Sequence, residues 1–140
     1  MNSNVDIRVY RESDRKEVIR LWDVVFPGGA AWNKSEAIIS TKLATQSELF
    51  FVAIQDERVV GTILAGFDGV RGWVHRLAVC PSQRRQGLAS RLMKNAEASL
   101  KRIGCPKLNL QVRASNLEVL KFYESLGYTV EKRASLGKPL

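Results

Sequence analysis

The sequence has few of the residues that build disulfide frameworks and metal centres. Its 140 residues include two cysteines and one histidine, which leaves no cysteine scaffold and no histidine-rich metal site. No apolar run approaches the roughly 20 residues of a membrane-spanning helix, and the first residues lack the apolar stretch of a secretory signal. We therefore expect no metal, no membrane partner and a reducing, cytoplasmic setting.

The chain also has fewer acidic than basic residues. The chain has 14 Asp and Glu against 22 Lys and Arg, which gives a formal net charge of +8. A basic balance of this kind suggests an anionic partner. Nucleic acid is one class of anion, but the sequence carries no RNP-like, zinc-finger or basic-zipper signature. We expect no nucleic-acid partner. A phosphate-bearing small molecule is another candidate, for which a few cations would suffice, and much of the excess charge is expected on the solvated surface.

Length and composition indicate one domain, residues 1–140. Hydrophobic residues make up 45% and charged residues 26% of the chain, as in ordinary globular proteins, and the length is sufficient to bury a core. Hydrophobic periodicity predicts a mixed α/β layer with a largely antiparallel sheet. The predicted strands lie at 7–10, 49–54, 59–66, 73–79, 107–113 and from 128, and helices begin near residues 13–14, 33–35, 86 and 116.

The segment from Leu77 to Ser90 carries the clearest chemical signal. An apolar strand runs into a proline turn, then a basic loop, then the first turn of a helix. The first backbone N–H groups of a helix have no partner within it, and the helix dipole places positive charge there, so such a start binds anions. The pattern Arg84-x-x-Gly87-x-Ala89 puts small residues where a phosphate would approach the backbone closely.

This pattern resembles the pyrophosphate-binding motif of the GNAT superfamily of N-acetyltransferases. A second block, Leu110 to Tyr128, resembles the second half of the same fold, in the same order and at the same distance, so the resemblance covers nearly the whole chain. It implies the GNAT fold, a mixed and mostly antiparallel sheet of about six to seven strands with splayed central strands and about four helices. It also implies acetyl-CoA as the acetyl donor.

The resemblance implies which residues would bind acetyl-CoA. Backbone groups of the central strand would contact the pantetheine arm, together with Asn116, and the N–H groups around Gly87 would hold the pyrophosphate. Leu77 and Val79 also suit an ordinary core strand, and Asn116 also suits a plain helix cap. The implied donor-binding residues are Leu77, Ala78, Val79, Arg84, Arg85, Gln86, Gly87, Leu88, Ala89, Ser90 and Asn116.

Tyr123 matches the family position that protonates the departing CoA thiolate. A phenol has a pKa of about 10, which makes it a suitable acid for a thiolate of similar basicity. The alternative is a core aromatic, because Tyr123 lies on the same helical stripe as Val119, Leu120 and Leu126.

The residue that would act as general base, and accept the proton of the attacking amine, is where the chain departs from a family pattern. Residues 112–116 closely resemble a block of the bacterial enzymes that acetylate protein N-termini, including those of ribosomal proteins, and these carry a Glu at the position of Gln111. Gln111 cannot take up a proton at neutral pH and could only orient a water or the acceptor. His75 matches a histidine of the arylalkylamine branch and could accept a proton, directly or through water. Alternatively, His75 is a half-buried strand residue bonded to the backbone.

Acceptor selectivity is expected in the region of the first two helices. Trp32 could form a wall of the acceptor channel, and Phe67, Trp73 and Arg113 are weaker candidates; each could equally be core or rim. Asp68 could attract an ammonium group, or it could be a turn residue ahead of Gly69.

The predicted function is acetyl transfer from acetyl-CoA to a primary amine by direct attack in a ternary complex. A small-molecule acceptor is favoured, and a monomer or homodimer is expected. One alternative is a protein N-terminal or lysine acetyltransferase. An alternative from another class is a catalytically weak, CoA-binding regulatory module, which the glutamine at position 111 keeps open.

Overall fold

The computed structural model describes residues 4–140, which form two compact units, 4–109 and 110–140. The strands of the described residues are β1 (Asp6–Val9), β2 (Phe50–Gln55), β3 (Arg58–Phe67), β4 (Gly72–Val79) and β5 (Leu108–Asn109). The helices are α1 (Arg15–Val25), α2 (Ser35–Thr45), α3 (Leu88–Arg102) and α4 (Leu117–Ser125). Within residues 4–140, no helix has the length and apolar character needed to cross a membrane.

The strands form one mixed sheet in the order β1-β2-β3-β4-β5. The first three pairings are antiparallel and the last is parallel, which confirms the predicted mixed, mostly antiparallel sheet with four helices. The predicted count of six to seven strands is wrong, because the described residues form five. Of the strand expected at 107–113, only Leu108–Asn109 forms, and none forms after residue 127. Val130 and Leu136 are exposed there, so the segment has no apolar face that would hold it in a sheet.

Helices α1 and α3 cover opposite faces of the sheet. Thr62 of β3 bonds to Trp22 of α1, whereas a side chain at the neighbouring Gly61 would meet Leu88 and Leu92 of α3. Successive residues of a strand point to opposite faces, so each helix has its own side. Gly61 has no side chain on the α3 side, and this absence lets α3 lie close to β3.

A bulge interrupts β4 at Arg76. Thr62 pairs with Ala78 and Leu64 pairs with His75, so β4 carries one residue more than β3 over this stretch. The Arg76 backbone has a left-handed φ of 53°. The buried Thr62 hydroxyl accepts a hydrogen bond from Trp22 Nε1 at 2.8 Å and donates one to the Arg76 carbonyl at 2.9 Å. These two hydrogen bonds hold the bulge in place from the α1 side of the sheet.

Replacing Thr62 by valine is expected to lower the free energy of unfolding by about 1–3 kcal/mol. The substitution keeps the shape of the side chain but leaves the Trp22 N–H and the Arg76 carbonyl without their partner in a buried place. Urea denaturation measures the loss. Thr129→Val, at an exposed position, is the matched control and should change stability by less than about 0.5 kcal/mol. Equal effects of the two substitutions would contradict the role given to Thr62.

The parallel ladder between β4 and β5 is very short. It pairs only Gly72 with Leu108 and Trp73 with Asn109. From Val74 to Val79, the edge of β4 that faces away from β3 therefore receives no hydrogen bonds from β5. Within the first unit this stretch of backbone is therefore an unpaired strand edge, which agrees with the splayed strands that the resemblance implies.

Candidate functional site

The start of α3 is a helix N-terminus without a side-chain cap. Gly87 is the N-cap residue with a left-handed φ of 77°, no side chain caps the helix, and its first turn contains no acidic residue. The first backbone bond runs from the Arg91 N–H to the Gly87 carbonyl at 3.1 Å, so the N–H groups of residues 88–90 have no acceptor further back in the helix. Their dipoles point at the preceding loop.

The loop before α3 adds positive charge and open space. Arg84, Arg85 and Gln86 are exposed, and Arg85 also has a left-handed φ, of 65°. A Cβ atom placed on Gly87 would meet no heavy atom within 4 Å, so the space beside the helix start is free. Uncapped N–H groups, nearby guanidinium groups and free space together suit an anion such as a phosphate.

The open edge of β4 leads directly to this helix start. A single 3-10 turn, Pro81–Gln83, joins Val79 to the Arg84 loop, and the Cys80 N–H donates to the Val60 carbonyl at 2.8 Å, which holds the turn on β3. Ala78 is buried in the core, while Leu77 and Val79 are half-buried. The structure therefore places all the predicted donor-binding residues from 77 to 90 along one strand–turn–helix path.

A cavity of about 550 Å³ lies in the first unit. Its walls come from the segment before α2, from α2 itself and from the hairpin ends of β3 and β4. The lining residues are Trp32, Asn33, Ala37, Ile38, Thr41, Lys42, Thr45, Gln46, Leu64, Ala65, Gly66, Phe67, Asp68, Trp73, His75 and Arg76. Trp32, Phe67 and Trp73, which the sequence suggested for the acceptor channel, all line it.

Side chains from the α2 region form one wall of the cavity by completing β3. The pairing of β2 with β3 ends at Leu64, so the last three residues of β3 extend beyond β2. The Gln46 amide replaces a strand there: it accepts from the Phe67 N–H at 2.9 Å and donates to the Phe67 carbonyl at 3.0 Å. The Lys42 ammonium donates to the Ala65 carbonyl. These bonds keep α2 against the end of the sheet.

His75 stands in the wall of this cavity with an accessible side chain. Desolvation by the surrounding protein lowers the pKa of His75 below its usual value, and the positive charges of Lys42 and Arg76 lower it further. An imidazole with a pKa below about 6.5 is neutral at pH 7. It can then accept a proton from a group in the cavity.

Arg76 is one of the residues of this site that the sequence did not single out, together with Lys42 and Gln46. Its guanidinium lies 5.2 Å from the Trp22 ring centre and 4.9 Å from the Phe26 ring centre, distances typical of cation–π contacts. Nη2 also donates to the Asn33 carbonyl at 2.8 Å. Its position depends on the bulge, and no local pattern of the sequence indicates a left-handed arginine inside a strand.

Asp68 is a turn residue, as one of the two sequence interpretations held. Its Oδ1 accepts hydrogen bonds from the N–H groups of Arg71 and Val70, each at 2.8 Å. These bonds hold the pKa of the Asp68 carboxyl below its usual range. The carboxylate is at the cavity rim, with its main interactions directed into its own turn.

Tyr123 belongs to the second unit, in α4. Its ring makes edge contacts with Phe122 and Tyr128, with ring centres 5.0 and 5.8 Å apart. Burial raises the pKa of Tyr123 to about 12. The phenol therefore keeps its proton throughout the physiological range, as a proton donor must.

Two further candidates also belong to the second unit. Asn116 is the N-cap of α4, as one of its two sequence interpretations held, and its Oδ1 accepts from the Val119 N–H at 3.3 Å. Gln111 is exposed, and its amide donates to the hydroxyl of Ser135. The roles of Asn116 and Gln111 toward donor or acceptor stay predictions, as does any role for Arg113, which is exposed in this unit.

Comparison with known proteins relates the chain to acetyltransferases. The model of the "Acetyltransferase (GNAT) family" matches residues 15–128. An acetyltransferase of Yersinia enterocolitica is 41% identical over 139 residues, which span 97% of this chain and 96% of that protein. An uncharacterised N-acetyltransferase of Yersinia pestis is 40% identical over the same shares of the two chains.

Solved structures share the fold at lower identity. Ard1 from Thermoplasma volcanium superposes with a TM-score of 0.81 at 22% identity, over 91% of this chain and 84% of that one. The aminoglycoside acetyltransferase AAC(6')-Iy, in complex with a CoA-linked bisubstrate analogue, has a TM-score of 0.81 at 19% identity, over 99% of both chains. At these identities the likeness is one of fold.

Proposed function

Because the chain belongs to the GNAT acetyltransferase family, we propose that it transfers the acetyl group of acetyl-CoA to a primary amine of a small molecule by direct attack in a ternary complex. The observation that carries the proposal is the uncapped, acid-free start of α3, which follows directly on the open edge of β4. The two cysteines are free thiols, which supports the reducing cytoplasm as the setting.

The start of α3 fits the diphosphate of acetyl-CoA. The N–H groups of residues 88–90 would donate to phosphate oxygens, and the loop arginines would add charge-assisted bonds. The edge of β4 from Leu77 to Val79 offers backbone groups to an extended, amide-containing arm. The fold relative AAC(6')-Iy is in complex with CoA, which supports this assignment. When bound, acetyl-CoA supplies the thioester that the amine attacks.

His75 is proposed to take up the proton of the attacking amine, directly or through a water. A free alkylammonium has a pKa of about 10.4 and must lose a proton before it can attack. The lowered pKa of His75 keeps the imidazole neutral and ready to accept it. Tyr123 is proposed to donate its phenolic proton to the departing thiolate; its raised pKa of about 12 keeps the phenol protonated before the reaction but also makes it a weaker acid than a free phenol.

Replacing Gly87 by alanine is expected to weaken acetyl-CoA binding roughly tenfold or more. A Cβ atom there would point into the free space where a phosphate is proposed to lie, at the cost of charge-assisted hydrogen bonds. Isothermal titration measures the Kd. Gly104→Ala is the control, because Gly104, just beyond the other end of α3, also has a left-handed φ and open space and carries the same backbone strain. Similar Kd values for the two variants would contradict the phosphate assignment.

The proposed function is tested by thiol release from acetyl-CoA with a panel of amines. Polyamines, aminoglycosides, amino acids, arylalkylamines and peptides with free N-termini represent the acceptor classes. Saturable release with small amines is the expected result. Release with peptides alone would favour the protein acetyltransferase and would show that no acidic residue is needed at the position of Gln111. No release from a protein that binds acetyl-CoA would favour the regulatory module.

A further inference from the structure

The cavity beside His75 holds two positive charges that the protein does not balance. Lys42 is half-buried, and its hydrogen-bond acceptor is the Ala65 carbonyl. Arg76 is half-buried against two aromatic rings and donates to the Asn33 carbonyl. Among residues 4–140, neither side chain forms a salt bridge. Glu48 attracts Lys42 only at longer range, so both cations lack a bound counter-charge.

The one carboxylate in the cavity wall does not offset them. Asp68 accepts from the backbone N–H groups of Arg71 and Val70 and interacts with the Trp73 side chain. These donors stabilise its charge and hold the carboxylate in its own turn at the cavity rim. With two cations and one carboxylate, the cavity is net positive, and His75 also lines it.

The remaining walls of the cavity are mostly apolar. Trp32, Ile38, Phe67 and Trp73 supply aromatic and aliphatic surface around the volume of about 550 Å³. A volume in this range suits a small ligand, and apolar walls with a few convergent polar groups are typical of small-molecule sites. Trp32 is largely exposed, so a ligand would bury much of its ring.

We propose that the acceptor is an amino acid with an apolar side chain, bound with its amine toward His75 and its carboxylate toward Lys42 and Arg76. This inference rests on the proposed function and adds the class of acceptor. A ligand carboxylate would pair with two partly desolvated cations, whose burial without a counter-charge costs free energy. Polycationic acceptors such as polyamines and aminoglycosides would instead meet unbalanced positive charge, which selects against them.

The test compares ligands that differ only in the carboxylate. N-acetylphenylalanine and N-acetyl-2-phenylethylamine, the two products, bind without an ionising amine, so their Kd ratio isolates the carboxylate. We expect N-acetylphenylalanine to bind roughly tenfold or more tightly. We also expect phenylalanine to be acetylated with a lower KM than 2-phenylethylamine. Equal binding of the two products, or a preference for O-phosphoethanolamine over phenylalanine as acceptor, would overturn the inference.

Replacing Lys42 by methionine should weaken N-acetylphenylalanine binding roughly tenfold and leave N-acetyl-2-phenylethylamine binding unchanged. Lys42→Arg, which keeps the charge, should retain the preference. Lys16→Met removes an exposed charge from α1 and should change neither Kd. An equal loss for both ligands in Lys42→Met would mean that Lys42 only shapes the wall, which would overturn its role.

The two proposals fail in different ways. Tight carboxylate binding without any acetyl transfer would contradict the proposed function and leave the ligand class standing. Acetyl transfer only to amines without a carboxylate would support the function and overturn the ligand class.

Discussion

Replacing Tyr123 by phenylalanine is expected to lower kcat about 10²- to 10⁴-fold while the Kd for acetyl-CoA stays unchanged. The substitution removes only the phenolic O–H and keeps the ring contacts with Phe122 and Tyr128. Loss of a positioned general acid typically costs this much in rate. The affinity should persist because the donor is proposed to bind through the α3 N-terminus and the β4 edge, to which the phenol contributes nothing. Thiol-release kinetics and isothermal titration give the two numbers.

Tyr128→Phe is the matched control for Tyr123. It removes the same kind of hydroxyl from the aromatic cluster of the second unit, at a position with no proposed part in the reaction, and should keep kcat within about twofold of the wild type. A Tyr123→Phe enzyme with unchanged kcat would refute the acid assignment. An equal loss of kcat in both variants would show that the two hydroxyls stabilise the fold of this unit and that neither takes part in the reaction. Because the pKa of Tyr123 is raised to about 12, its ionisation should not shape the pH profile below about pH 11.

Replacing His75 by glutamine is expected to lower kcat/KM about a hundredfold and to change its dependence on pH. Below the pKa of the amine, kcat/KM falls tenfold per pH unit because only the neutral amine attacks. The wild type should fall more steeply once the pH drops below the pKa of His75, since protonation then also removes the base. That pKa is lowered by desolvation and by Lys42 and Arg76, so the second break should lie below about pH 6.5.

The glutamine variant should lack the break in the pH profile. Its logarithmic slope should remain near one across the acidic range, because the acceptor amine is then the only titrating group that matters. Measurements from pH 5 to 9 at constant ionic strength decide the point. A second break that persists in His75→Gln belongs to another group and would remove His75 from the role of base.

The strand–turn–helix path of residues 77–90 could be predicted because it is local in sequence. A strand, a proline turn, a small-residue loop and a helix start follow one another within residues 77–90, and each has a short-range signal. The left-handed φ at Gly87 and the absence of acid in the first turn of α3 agree with that prediction. The role of each residue toward acetyl-CoA stays a prediction until binding is measured.

The charged side of the cavity could not be predicted because it is assembled from distant parts of the chain. Lys42 looks like an ordinary helical lysine in the sequence, and it reaches the cavity only because β3 extends beyond β2 and needs a partner for Ala65. Arg76 depends on a bulge held by the contact between Thr62 and Trp22. The strand count failed for a similar reason: alternation at residues 107–113 and from 128 does not reveal whether a neighbouring strand is available.

The bulge at Arg76 changes which face of the sheet the odd-numbered and even-numbered residues of β4 occupy. Gly72 lies on the α3 side, so in the first half of the strand odd-numbered residues such as His75 share the α1 side with Leu64. In the second half the even-numbered Ala78 pairs with Thr62 and packs into the α1 core. The two halves of β4 therefore alternate in opposite senses, one along the cavity wall and the other along the edge that is proposed to bind the donor. Deleting a single residue at the bulge would restore one alternation along the whole of β4 and would turn the side chains of one half to the opposite face. Conservative replacements would leave the two alternations intact.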